Sequence, residues 1–286
     1  MGRGVITREE LQRNAGRSGV RVQVQERDYV LGWFLLGLIR VPGLRQMLAF
    51  KGGTALRKMY FPSYRFSEDL DFTLGASIDE DELRTGIASI LQQVERISGL
   101  QMSMAKGGVK RDVADEEAYQ GRVAYVGPFG QSASPPRIRL DLTRYECLVL
   151  PMRPMEVTHP YSDVPADTCC VATYPLEEML AEKLRALLRR CYPRDVYDVW
   201  YLLRHHRARL DRDDLHRALE AKCRYKGYTF SSSGDFLRPA RRSGMAEAWD
   251  ASLQHLISAV PSHESVVEDL ADLLRWLWCG GEWDGR

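Results

Sequence analysis

Residues 51–72 read KGGTALRKMYFPSYRFSEDLDF, and this stretch decides the fold. Lys51 ends an apolar run, Leu44 to Phe50, and leads into Gly52-Gly53-Thr54. Two glycines followed by a small hydroxyl residue let backbone N–H groups approach a phosphate closely. The next residues, Thr54 to Met59, are predicted to open a helix at that turn, which would add its positive dipole end. Phe61 to Ser67 reads as a loop. Glu68 to Leu74 then alternates acidic and apolar residues as a strand does. In a strand, Asp69 and Asp71 share one face while Leu70 and Phe72 enter the core.

Two carboxylates on one face repel each other unless something neutralises them. Oxygen ligands of this kind favour Mg2+ or Mn2+, which can bridge triphosphate oxygens. Taken alone each half is weak, since Gly-Gly-Thr occurs in many loops and an Asp-x-Asp is often a solvated face. Their order and spacing carry the specificity.

Working outward, Thr7 to Ser18 is predicted as a helix opened by Thr7 with Glu10 in a capping-box position. A strongly apolar helix follows from about Arg27 to Arg40, stopped by Pro42. Residues 79–98 have apolar positions at helical spacing behind an acidic first turn. Strand-like runs follow over Met102 to Val113, Arg122 to Val126 and Arg137 to Val149, with a Gly/Ser/Pro-rich turn at residues 127–136. Beyond Pro165 the pattern is helical: Leu176–Arg190, Arg194–His205, Asp211–Lys222, Ala246–Ala259 and Ser265–Trp278. A mixed domain over 1–165 and a helical domain over 166–286 are expected.

The 286 residues are 44% hydrophobic and 28% charged, with a net charge of +1, the balance of a soluble globular protein. Net charge neither requires nor excludes a nucleic-acid partner, because separate patches can coexist. The six cysteines have no zinc-like spacing, so reduced thiols and a cytoplasmic location are expected. The Arg-rich N-terminus has no apolar core of a secretory signal. The apolar run Tyr29 to Ile39 is far short of the ~20 residues of a membrane span.

The Lys51–Phe72 passage resembles the nucleotidyltransferase superfamily signature, a glycine pair with Ser or Thr followed by Asp-x-Asp on the next strand. More narrowly, K-G-G-T-A-L and R-F-S-E-D-L-D-F resemble the AbiEii/AbiGii-type nucleotidyltransferase toxins, a group that includes the MenT toxins. The resemblance runs from about Tyr29 to Leu203. It implies an α+β fold, with a mixed sheet and flanking helices followed by an α-helical C-terminal domain and a cleft between the halves. It also implies an NTP substrate, a tRNA 3′ end as acceptor, and a cognate antitoxin.

Enzymes of this type bring a third acid from a later strand. Arg137 to Thr143 alternates, with Ile138, Leu140 and Leu142 on one face and Arg137, Arg139, Asp141 and Thr143 on the other. Asp141 is the candidate; Glu146 breaks the parity. The plainer reading pairs Asp141 with Arg139 or Arg137 across a neighbouring strand.

In the helical half, Lys183 falls inside the apolar stripe of Leu176 to Leu188. A core-facing lysine needs a partner, and Asp195 or Asp198 on the next helix could supply it. The resemblance implies instead, or as well, that Lys183 handles nucleotide phosphates and Asp195 supports catalysis. Lys51, Arg65 and Ser67 are further nucleotide-binding candidates beside Gly52, Gly53 and Thr54. The basic, aromatic stretch Lys222 to Tyr228, with Arg238, Arg241 and Arg242, could track an RNA backbone, or be an ordinary exposed basic loop. Trp276 and Trp278 read as packing anchors. Two rival functions remain open: transfer to a protein or small molecule, and nucleotide binding by a regulator without transfer. The intact Asp-x-Asp argues against the second, since binding alone needs no clustered acids.

Overall fold

The computed structural model describes residues 5–75, 78–111, 118–130, 133–144, 146–166 and 169–279. The end of the run to Val113, two residues of the 127–136 turn, Tyr145 and the first four residues lie outside them. The chain forms two compact units, Met1–Glu146 with Met152–Tyr174, and Cys147–Pro151 with Pro175–Arg286.

The first unit opens with α1 (Arg8–Ser18), whose N-cap Thr7 accepts the Glu10 N–H and whose C-cap Gly19 is left-handed. Helix α2 (Val22–Leu38) begins earlier than its apolar run suggested and is buried along nearly its whole length. The segment before the glycines splits into α3 (Pro42–Met47) and β1 (Leu48–Lys51). The turn itself becomes α4 (Gly52–Ala55), which widens into a π-helical turn over Leu56–Tyr60 instead of continuing as an α-helix to Met59. The acidic strand is β2 (Asp69–Leu74), and α5 (Glu80–Ser98) is capped by Asp79.

Strands β3 (Gln101–Arg111), β4 (Ala118–Val126) and β5 (Arg137–Thr143) follow. The last stops six residues short of the expected Val149. Two short strands were not visible in the sequence, β6 (Arg153–Glu156) and β7 (Cys170–Thr173). Residues 153–156 are mostly exposed and carry no apolar alternation. The sheet runs β3-β4-β5-β2-β1-β7-β6. It is mixed, with β2/β5 and β1/β7 parallel and the other neighbours antiparallel. Because β7 returns to β1, and the Tyr174 N–H donates to the Phe50 carbonyl at 3.0 Å, the change to helices falls after Tyr174 and not near 165.

One buried polar network ties α2 to the turn after the glycines. Asp28 accepts hydrogen bonds from Arg57 Nε at 2.9 Å, Lys58 Nζ at 2.7 Å and the Tyr161 hydroxyl at 2.8 Å. Burial pushes the Asp28 carboxyl up, but the two cations and the hydroxyl outweigh it and hold the group at about 2. The π-helical turn is thereby fixed against the core helix.

The second unit contains α6 (Leu176–Arg189), α7 (Pro193–His206), α8 (Arg212–Tyr225), α9 (Gly234–Ala240), α10 (Met245–Leu253) and α11 (His263–Cys279). Of these, α9 is short and interrupted by Pro239, so no helical period marked it. Lys222, expected on a basic loop, is 2% exposed and lies 2.7 Å from Glu178 and 3.4 Å from Glu182. Glu182 is correspondingly half-buried. Glu178 also accepts the Val149 and Leu150 N–H groups, which fastens residues 147–151 into this unit. Trp278 packs against Phe230 and Phe236. Among the described residues no helix is long and apolar enough to cross a membrane.

Candidate functional site

The alternation in β2 resolves as its sequence suggests: Leu70 and Phe72 are buried, and Asp69 and Asp71 are half-buried on the other face. In β5, Ile138, Leu140 and Leu142 are buried while Asp141 is half-buried and Arg137 and Arg139 are exposed. The parallel register sets Asp71 opposite Asp141 and Asp69 opposite Arg139. Directly paired strand positions lie on one face about 5 Å apart, so the three acids share one patch.

The glycines close this patch on the β1 side. Gly52 has φ +80, and a Cβ there would sit 2.2 Å from Asp71 Oδ2. Only glycine admits both that backbone and that approach. A Cβ on Gly53 would meet Arg65 Nη2 and Ser67 Oγ, each at 3.0 Å. The turn is thus lined by a carboxylate on one side and by a guanidinium and a hydroxyl on the other. Thr54 turns its hydroxyl inward to donate to the Asp69 carbonyl, so it braces the acidic strand. Arg65 is buried and donates from Nη1 to the Phe66 carbonyl at 3.0 Å. Lys51 pairs in register with Asp71 on β2, and its ammonium lies 3.7 Å from Glu146. Glu146, discounted on strand parity, therefore acts from beyond the end of β5.

One of the two cations the sequence offered as a partner for Asp141 sits among the acids. Arg139 reaches Asp69 Oδ2 at 3.0 Å and Asp141 Oδ2 at 2.8 Å. Burial opposes its charge, but Asp69, Asp141 and Asp71 together outweigh that and raise its pKa. The Arg139–Asp141 pair, formed within β5, gives Asp141 the partner that the plainer reading named, beside the acidic cluster and not in place of it; the contact across strands is Arg139–Asp69. Among the described residues no three His, Cys, Asp or Glu side chains converge closely enough to hold a metal ion. The donor chemistry nonetheless fits a hard divalent cation. All three groups are carboxylates on adjacent strands, the oxygen donors such an ion prefers.

Lys183, Asp195 and Asp198 belong to the helical unit. Lys183 Nζ lies 2.8 Å from Asp198 and 3.3 Å from Asp195, so both candidate partners are engaged. Asp195 also holds Arg190 at 3.1 Å. Both aspartates are buried, and the trio joins α6 to α7 as a buried charge on a core-facing lysine requires. Of the basic stretch, Lys222 and Cys223 are buried; Arg224 and Tyr225 are exposed. Arg238 pairs with Asp235 at 3.1 Å.

Comparison with known proteins adds the family. A family model described as nucleotidyl transferase AbiEii toxin, type IV toxin–antitoxin system, matches residues 33–276. Among solved structures the chain is similar to MenT4, a nucleotidyltransferase toxin from Mycobacterium tuberculosis H37Rv, at 19% identity and TM-score 0.66. That match covers 98% of this chain and 92% of that one. It is also similar to JHP933 from Helicobacter pylori, at 16% identity and TM-score 0.55, over 85% of this chain and 88% of that one. At such identities the likeness concerns the fold. No curated protein matches in sequence. A two-glycine turn facing clustered strand carboxylates, on a mixed sheet of this order, agrees with the family match over most of the length, and the chain belongs to the AbiEii family of nucleotidyltransferase toxins of type IV toxin–antitoxin systems.

Proposed function

We propose that this nucleotidyltransferase moves a nucleoside monophosphate from an NTP to the 3′ end of tRNA and so blocks translation until its antitoxin intervenes. The observation that carries the reading is the three-carboxylate patch of Asp69, Asp71 and Asp141, closed by Gly52 and Gly53.

In this mechanism the backbone N–H groups at Gly52, Gly53 and Thr54 hold the triphosphate, with the Arg65 guanidinium, the Ser67 hydroxyl and Lys51 around it. Asp69, Asp71 and Asp141 would hold Mg2+ or Mn2+, which when bound would supply charge neutralisation at the phosphates. Asp141 orients the attacking hydroxyl and takes its proton. The acceptor oxygen forms a bond to the α-phosphorus, the bond to the bridging oxygen of the β-phosphate breaks, and pyrophosphate leaves. The family resemblance supports a nucleotide-handling role for Lys183 of the helical unit, with Asp195 as its support. Positioning and electrostatics supply most of the catalysis in such displacements.

The test is incubation with each α-32P-labelled NTP, Mg2+ and total tRNA, beside Asp71→Ala and an EDTA control. Label entering RNA only with intact Asp71 and free divalent ion is the expected result, and the preferred NTP would then be read directly. Label on protein or on an added small molecule, with RNA unlabelled, would replace the acceptor. Nucleotide binding without pyrophosphate release under any acceptor would overturn transfer itself.

A further inference from the structure

Beside Asp69, on the side of the acids away from the glycine turn, lies a cavity of about 310 Å3 lined by Arg27, Glu68, Asp69, Arg122, Arg137, Ile138 and Arg139. Four guanidinium groups meet two carboxylates there. Such a volume lies at the low end of ligand sites, roughly 300–1,000 Å3, and suits a group of nucleotide size rather than a whole helix.

The register explains how the arginines gather. Arg122 on β4 pairs directly with Arg139 on β5, and Arg137 precedes Arg139 by two residues, on the same face. Like charges directly opposite on neighbouring strands are unfavourable unless an anion is shared between them. Arg27 is paired with Glu68, and Arg139 with Asp69 and Asp141. Arg122 and Arg137 are exposed, and no carboxylate among the described residues is paired with either.

Position then assigns the occupant. Across the sheet the order is β4, β5, β2, β1, so the acid row on β5 and β2 stands between the arginines and the glycine turn that follows β1. An in-line displacement brings its two reactants to the phosphorus from opposite sides. With the triphosphate on the glycine side, the arginines face the acceptor.

We infer that Arg122 and Arg137, with Arg27 and Arg139 behind them, form a phosphodiester subsite that seats the backbone of the acceptor strand next to its reacting end. The inference rests on the acceptor being RNA. A planar guanidinium fork matches phosphate oxygens two at a time, which positions the strand without reading its bases. The same charge disfavours a polycationic small-molecule acceptor.

The experiment uses the full chain and an Arg122→Gln/Arg137→Gln double variant. Binding of fluorescently labelled tRNA is followed by anisotropy across a salt series, and binding of the preferred NTP by calorimetry. Both positions are exposed on the polar strand face, so a matching melting curve serves as the folding control. Expected is a tRNA Kd raised roughly tenfold or more, with the slope of log K against log salt reduced by about 1.4, for two single-strand phosphate contacts. NTP affinity should stay within about twofold, by the same contact arithmetic. An Arg122→Lys/Arg137→Lys variant should keep the salt slope and lose part of the affinity, since it keeps charge but not the fork, and it carries the test if the glutamine pair does not fold.

Loss of NTP affinity with tRNA binding intact would overturn the inference by giving the arginines to the nucleotide. No change in either would overturn it as well. If wild-type protein labels tRNA and the double variant does so with unchanged KM, the subsite falls while the tRNA reading stands. If wild-type protein labels no RNA yet binds it through these arginines, the tRNA reading falls and the subsite stands.

Discussion

Two charged clusters in the first unit use the same components in opposite ways. Around Asp28, one carboxylate meets two cations and a hydroxyl, all but removed from water. On the face of β2 and β5, Asp69 and Asp141 share the Arg139 guanidinium next to Asp71, half in solvent. The Asp28 carboxylate has its charge and hydrogen bonds met within the protein, and the cluster serves as a fastening between α2 and the turn after the glycines. The second is half in solvent, which lets a partner arrive beside its acids. A buried network makes scaffold; a half-exposed one is open to chemistry.

The largest effect should come from breaking the exposed cluster. Asp71→Ala is expected to lower nucleotidyl transfer by about 10^3- to 10^4-fold, roughly 4–5.5 kcal/mol of transition-state stabilisation. Its melting temperature should move little, because the side chain is half-buried and adds little to the core. A matched loss of activity and stability would erase the distinction between the clusters.

The buried cluster should fail in the opposite sense. Asp28→Ala leaves Lys58 and Arg57 with uncompensated buried charge and is expected to cost about 3–5 kcal/mol in urea unfolding. The same group sets an acid limit. Its carboxyl is held at about 2 in the folded protein, below the unfolded value of ~3.9. Stability from this shift is therefore complete above pH ~4 and is lost as pH falls toward 2; it amounts to about 2–3 kcal/mol. Unfolding free energy between pH 5 and pH 2.5 should fall less steeply in Asp28→Asn than in wild type, and parallel slopes would refute this.

Much of the exposed cluster was legible in the sequence, and the buried one was not, for a physical reason. Alternation with a period of two told which face Asp69, Asp71 and Asp141 occupy, because a strand's faces are set residue by residue. The Gly-Gly-Thr turn was legible for a similar local reason. Arg139 was legible as a partner for Asp141, but its contact with Asp69 was not, because that depends on β5 lying parallel beside β2 in one register, which no local pattern encodes. Strands β6 and β7 escaped because four residues are too few to show a period. Asp28 carries a signal of the same kind as Lys183 on α6: a carboxylate within an otherwise apolar helix demands a partner. For Lys183 the partners lay 12 and 15 positions away on the next helix; for Asp28 they lay 29, 30 and 133 positions away.

Gly52 joins the two clusters, since its turn leads from the acidic patch into the fastened segment. Gly52→Ala should destabilise by about 1–2 kcal/mol through the left-handed backbone alone. Its methyl group would also displace Asp71, so activity should fall by more than the stability change accounts for. Equal effects on both would mean that the Asp71 approach does not matter to the chemistry.

The smallest stability effect should come from Arg139→Gln, and it sharpens the comparison most. Arg139 is half-exposed, so its ion pairs with Asp69 and Asp141 are worth only about 0–1 kcal/mol to folding. A loss of 3 kcal/mol or more in urea unfolding would put Arg139 in the same class as Lys58, a scaffold cation. The contrasting expectation concerns the acids it leaves behind. With the guanidinium gone, Asp69 and Asp141 face each other and Asp71 with less neutralisation, which favours uptake of a divalent cation. Titration of Mn2+ by its paramagnetic effect on water relaxation should then show tighter binding in Arg139→Gln than in wild type. Unchanged or weaker binding would mean that Arg139 does not compete for these carboxylates, and that the exposed cluster is as closed to newcomers as the buried one.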